Sequence, residues 1–170
     1  MKIRSLTYCA VFAAILCIIA PFSLFIGIVP ISLATLGVYL CGGILGSGKG
    51  ASAIGIYVLL GTVGLPVFSG FEGGFQKLAG VTGGYLIGYI LCGFIVGFVT
   101  EKVKKFWSYP ISMILGTIAC YGVGIAWFVC QTNVGLLSAL SVCVLPFLMG
   151  DAVKITAASA LCYQIKKRLS

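Results

Sequence analysis

Charge is scarce in this 170-residue chain: eleven Lys and Arg and three Asp and Glu make up 8% of the residues. A soluble domain needs roughly 25% charged residues to wet its outer faces, so a water-soluble globular domain is excluded. Histidine is absent altogether, and with it the usual catalytic base and the commonest metal ligand. The only acids are Glu72, Glu101 and Asp151, so an intramembrane enzyme built on a nucleophile–base pair or paired carboxylates is poorly supplied. No two of the eight cysteines are spaced as CxxC, and zinc and iron–sulfur sites need clustered ligands; no metal is expected. The cysteines lie in or beside apolar runs, where cysteine packs as a small hydrophobe. No polar stretch approaches the roughly 50 residues of an independent soluble domain. Residues 1–170 therefore read as a single transmembrane domain.

Apolar residues supply 61% of the chain, with a mean hydropathy of +1.19. Six runs approach or exceed the roughly 20 residues that cross a bilayer as helix, the third by extension at one end. They are Leu6–Ile26, Ile31–Leu45, Ala51–Val63, Val81–Val99, Tyr109–Cys130 and residues 144–165, the last preceded by a short helix at Leu136–Val142. These predict an all-α integral membrane protein, a bundle of six transmembrane helices. The first run outlasts the 7–15-residue apolar core of a signal peptide and is read as a retained helix. The net charge of +8 has no basic face outside the membrane to serve, so nucleic acid is not a partner. The cations sit between apolar runs instead: Lys2, Arg4, Lys49, Lys102, Lys104, Lys105, Lys166, Lys167 and Arg168. The positive-inside rule then places both termini in the cytoplasm. Lys77 is left outside and Lys154 within the last span.

The string GILGSGKG (Gly43–Gly50) nearly spells a phosphate-binding loop, but Gly50 stands where a magnesium-holding hydroxyl is needed. It reads as a cytoplasmic turn. Small residues four apart (Ala10 and Ala14, Gly84 and Gly88, Gly93 and Gly97) permit close helix approach in lipid. Asp151 and Lys154 are the sharpest feature. At i, i+3 they share a helix face, and each costs at least about 2.5–3.5 kcal/mol inside a span, so such residues usually face a polar cavity and mark a substrate path. Lys154 lies about 18 Å along the helix from Lys166, in the outer half. The outward loop 64–80 holds Gly70, Gly73, Gly74, Gly80 and Gln76, suited to close backbone approach and to a lid. Tyr85 and Trp127 can stack on a ligand or anchor at the membrane interface.

The stretches VPISLATLGVYL (Val29–Leu40), GLPVFSGFEGG (Gly64–Gly74), TGGYLIGY (Thr82–Tyr89) and PFLMGDAVK (Pro146–Lys154) resemble, in order, the BioY family. These are the biotin-specific substrate-binding S components of energy-coupling factor (ECF) transporters. The resemblance implies a six-helix bundle with an outward pocket under loops and no ATPase activity or cofactor on this chain. Its partners would be biotin as transported substrate, a transmembrane coupling protein and two cytoplasmic ATPases that use ATP. The setting would be the lipid bilayer of a prokaryotic cell membrane. The family's docking strip falls on Ala10 and Ala14, and its Asp-x-x-Lys ligand pair on Asp151 and Lys154. Ala34, Val81 and Met149 depart from residues frequent in the family: glutamine, proline and proline. The ligand-binding candidates are Asp151, Lys154, Tyr85, Gly73, Gly74, Gln76, Thr82, Gly84 and Trp127. Composition alone leaves thiamine or riboflavin as ligand, or a channel or scaffold role, as alternatives.

Overall fold

Proline sets the first departure from these expectations. In the computed structural model, which describes residues 3–25, 30–103 and 105–169, helix α1 spans Ile3–Ile19 and stops two residues before Pro21. A residue preceding proline is pushed out of the helical region, and proline itself has no N–H to donate. The run expected as one helix to Ile26 instead turns into strand β1 (Ser23–Phe25), which pairs antiparallel with β2 (Pro30–Ser32), Ser23 opposite Ser32. Ile26 and Val29 lie outside the described residues. This ribbon is the one β-sheet among the described residues of an otherwise helical fold. It also shortens the second helix: α2 covers Ala34–Leu45 rather than starting at Ile31.

The remaining elements follow the apolar runs closely. A turn at Gly46, with φ +88°, joins α2 to α3 (Ser47–Val63) and takes up the phosphate-loop look-alike. That positive φ favours glycine, which lacks the Cβ that clashes there. Helix α3 closes on Gly64, whose N–H reaches the carbonyls of Leu60 and Gly61. The loop that follows holds a single-turn helix, α4 (Phe75–Ala79), and a bridge between Phe68 and Glu72. Helices α5 (Gly83–Lys102) and α6 (Ser108–Thr132) come next, then α7 (Leu136–Cys143) and α8 (Leu145–Leu169). Both α5 and α6 are long and apolar enough to cross a membrane; α1 and α2 are apolar but shorter. Large apolar side chains such as Leu59, Ile118 and Val153 point out of the bundle, where water would penalise them and lipid does not.

Helix α5 packs against α6, α2 and α3, and its glycines make that possible. Gly84 and Gly88 seat Trp127 and Cys120 of α6, while Gly97 meets the backbone of Gly46 and Ser47. At this end Glu101 accepts from the Ser47 N–H (3.1 Å) and hydroxyl (2.8 Å), capping α3 from a neighbouring helix. Arg4, Lys49, Lys102, Lys105, Lys166, Lys167 and Arg168 all belong to helix ends or connectors on this side. Lys2 and Lys104 fall outside the described residues.

Candidate functional site

At the opposite end, the start of α2, the loop before α5, the first turns of α5, the middle of α6 and the start of α8 enclose a cavity of about 340 Å³. That volume is typical of small-molecule sites, which bury most of the ligand in a largely apolar wall. Its deep wall carries charge. Asp151 is 3% exposed and Lys154 8%, because α8 begins six residues ahead of Asp151 and presents both on one face.

Every proton of the Lys154 ammonium has an acceptor. Nζ donates to the Ser32 carbonyl (2.8 Å), to Thr35 Oγ1 (3.0 Å) and to Asp151 Oδ1 (3.2 Å). The Thr35 hydroxyl also lies 3.5 Å from Asp151 Oδ1, and the Tyr121 hydroxyl donates to Asp151 Oδ2. A buried ion pair is tolerated only when its remaining lone pairs and protons are satisfied in this way. The β-ribbon thus has a local purpose: it brings the Ser32 carbonyl to the lysine.

Around the pair stand Tyr39, Tyr89, Thr117, Cys92 and Cys120, with Tyr85 and Phe147 forming aromatic wall. The Tyr39 hydroxyl is bonded to Thr117, and the Tyr85 and Phe147 rings each meet Tyr121 edge-on at 6.5 Å. Toward the open end, Glu72 and Lys77 form an ion pair whose side chains are 47% and 39% exposed, and both line the cavity.

Of the residues expected from sequence, Asp151, Lys154, Tyr85, Gly73, Gln76 and Thr82 line this cavity together. Gly74, Gly84 and Trp127 are not among the lining residues. Gly74, at φ +101°, starts α4. Gly84 faces the Trp127 side chain, and the indole N–H donates to the Gly80 carbonyl at 2.9 Å. Trp127 therefore ties the loop to α6. Ser32, Thr35, Tyr39, Glu72, Lys77 and Tyr121 also line the cavity and were not among the expected ligand-binding residues. Lys77 had a visible signal, a cation inside the expected lid, whereas a hydroxyl in an apolar helix carries no mark of the face it takes. Ala10 and Ala14 both lie on the exposed face of α1, opposite buried Cys9, Ala13 and Leu16. Among the described residues no group of three His, Cys, Asp or Glu is disposed to hold a metal.

A lipid-facing helical bundle with a satisfied charge pair deep in a loop-covered cavity defines a membrane protein that binds a small solute. The chain matches the BioY family over residues 1–170. It is 38% identical to the biotin transporter BioY of Thermotoga maritima, covering 96% of each chain, and 36% identical to the probable biotin transporter BioY of Pyrococcus horikoshii, covering 93% of each. Its fold matches the S-component for biotin from an ECF-type ABC transporter with a TM-score of 0.90 at 31% identity, over 98% of this chain and 92% of the other. This chain belongs to the BioY family.

Proposed function

We propose that this chain captures biotin and serves as the substrate-binding S component of an ECF-type transporter. The carrying observation is the saturated Asp151–Lys154 pair in the deep wall of a cavity of ligand size. In this role the chain is a binding subunit rather than an enzyme. Residues 1–170 act as one domain in the plasma membrane, crossing it six times through α1, α2 with its ribbon, α3, α5, α6 and α8. Both termini face the cytoplasm with the basic helix ends, and the cavity faces outward.

The ligand's two polar ends suit the two ends of the cavity. The Asp151 carboxylate accepts from ureido N–H groups, and the Lys154 ammonium, exchanging one of its present acceptors, donates to the ureido oxygen. The Tyr85 and Phe147 rings cover the bicyclic body, with Thr82 and Gln76 beside it. The carboxylate tail reaches the open end, where Lys77, exchanging its Glu72 partner, is the cation within the loop. Closure of loop 64–80 over the ligand shuts the cavity. Reorientation is then driven by partners: a transmembrane coupling protein docking on the Ala10–Ala14 face, and two ATPases that consume ATP.

Two variants test the two ends. Asp151→Asn keeps the shape but leaves the Lys154 ammonium without its counter-charge, and labelled-biotin binding by variant protein that still unfolds cooperatively is expected to weaken at least tenfold, about 1.4 kcal/mol. Lys77→Ala is expected to weaken biotin roughly fivefold, about 1 kcal/mol for a half-exposed charged partner. Biotinamide, which carries no charge on its tail, should bind the Lys77→Ala variant as it binds the unaltered chain. Equal losses for both ligands would remove Lys77 from the tail site.

A further inference from the structure

At the end of the bundle away from the cavity, two basic segments sixty residues apart in sequence are drawn onto one patch. The end of α5 contributes Lys102 and the α5–α6 connector Lys105, Phe106 and Trp107; the last turns of α8 contribute Tyr163, Lys166, Lys167 and Arg168. Aromatic rings make the join. Phe106 meets Tyr163 edge-on at 5.3 Å, Tyr109 meets Tyr163 at 6.3 Å, and Trp107 lies edge-on to Phe106 at 6.1 Å. A topology signal needs only the count of cations in a loop; it needs no aromatic clamp holding one loop's cations against another helix's.

The five cations there divide into two that are engaged and three that are left exposed. Lys102 folds over the Phe98 ring at 4.1 Å, and Lys166 turns inward to the Gly43 carbonyl at 3.4 Å. Lys105, Lys167 and Arg168 are left exposed. The nearest acid, Glu101, has both carboxylate oxygens engaged by Ser47. Trp107 is 73% exposed at the edge of this patch, the amphipathic ring that settles at headgroup depth.

We infer that the α5–α6 connector and the last turns of α8 form a binding surface for anionic phospholipid headgroups. The phosphate and a second anionic or hydroxylated headgroup moiety meet Lys105, Lys167 and Arg168, and the acyl chains run down past Phe106 and Trp107. Juxtamembrane cations each draw anionic lipid by about 1 kcal/mol, so three exposed cations on segments joined through Phe106 and Tyr163 enrich such a lipid well above its bulk fraction. The surface is remote from the cavity and stands whether or not biotin is the ligand.

The test uses the two tryptophans. The full chain is placed in nanodiscs containing brominated phosphatidylglycerol or brominated phosphatidylcholine at equal mole fraction, and fluorescence quenching is read with Trp107→Phe subtracted to remove the Trp127 contribution. Quenching of Trp107 by the anionic lipid is expected to report at least threefold enrichment over the zwitterionic one. In Lys105→Gln/Lys167→Gln/Arg168→Gln the ratio should fall to about one, while labelled-biotin binding in the same nanodiscs shows that the variant is folded. A ratio near one in the unaltered chain would overturn the proposal, as would enrichment that survives the triple substitution. Loss of the enrichment on adding millimolar inorganic phosphate at constant ionic strength would assign the surface to free anions rather than lipid, and overturn it too.

Discussion

Lys154→Met should destabilise the protein by about 3–5 kcal/mol, the usual cost of leaving one member of a buried ion pair uncompensated. The side chain it removes donates to Ser32, Thr35 and Asp151 at once. Asp151 would keep only the Thr35 and Tyr121 hydroxyls, and a 3% exposed carboxylate has no water to replace the ammonium. The loss should appear as a lowered unfolding temperature in detergent, together with loss of biotin binding. Adding Asp151→Asn to Lys154→Met removes the orphaned charge while keeping an amide for the two hydroxyls. This double variant should recover most of the stability and none of the binding. Recovery of neither would mean that the lysine's packing, and not its charge, holds α8 to α2. A single variant as stable as the unaltered chain would mean that the pair is solvated.

Gly97→Leu should be worse for the fold and say nothing about the ligand. A side chain at this position drives into the backbone of Gly46 and Ser47, not into the tip of a flexible neighbour. Main chain cannot rotate away, so α5 must part from the α2–α3 turn, and the Glu101 cap on Ser47 goes with it. Overpacking in a dense core costs about 1–3 kcal/mol where side chains can shift; here, where they cannot, the expected result is little folded protein after extraction. Gly55, where an added Cβ meets nothing within 4 Å, is the control: Gly55→Leu should extract and bind as the unaltered chain does. Similar yields from both would contradict the packing of α5 described above.

These two sites show what was legible in the sequence and what was not. Helices α5 and α6 were readable because uninterrupted apolar runs end in charge or polar turns, so little competes with helix between those limits. The glycines of α5 were readable as a close-approach strip, though not which neighbour each would meet. Pro21 was visible, yet the apolar residues after it look the same in a helix and in a ribbon. Three-residue strands are too short for alternation to declare itself. Asp151 and Lys154 stood out because charge in an apolar run is costly and therefore purposeful. Tyr121 and Thr35, which complete the pair, did not, since a hydroxyl is cheap anywhere on a membrane helix. They meet Asp151 only through packing of segments 30 and 116 residues apart. The tie from Trp127 to the loop was hidden for a related reason: an indole near a helix end serves a ligand, an interface or a loop equally well, and its bond to the Gly80 carbonyl shows only in the fold.

The most direct measurement is equilibrium binding of labelled biotin to the purified full chain, with excess unlabelled biotin, thiamine and riboflavin as competitors. Saturable binding at one site per chain, displaced by biotin and untouched by the other two, is the predicted result. Displacement by thiamine or riboflavin, or no saturable biotin binding by protein that unfolds cooperatively in the same preparation, would contradict the assignment of the Asp151–Lys154 cavity to biotin.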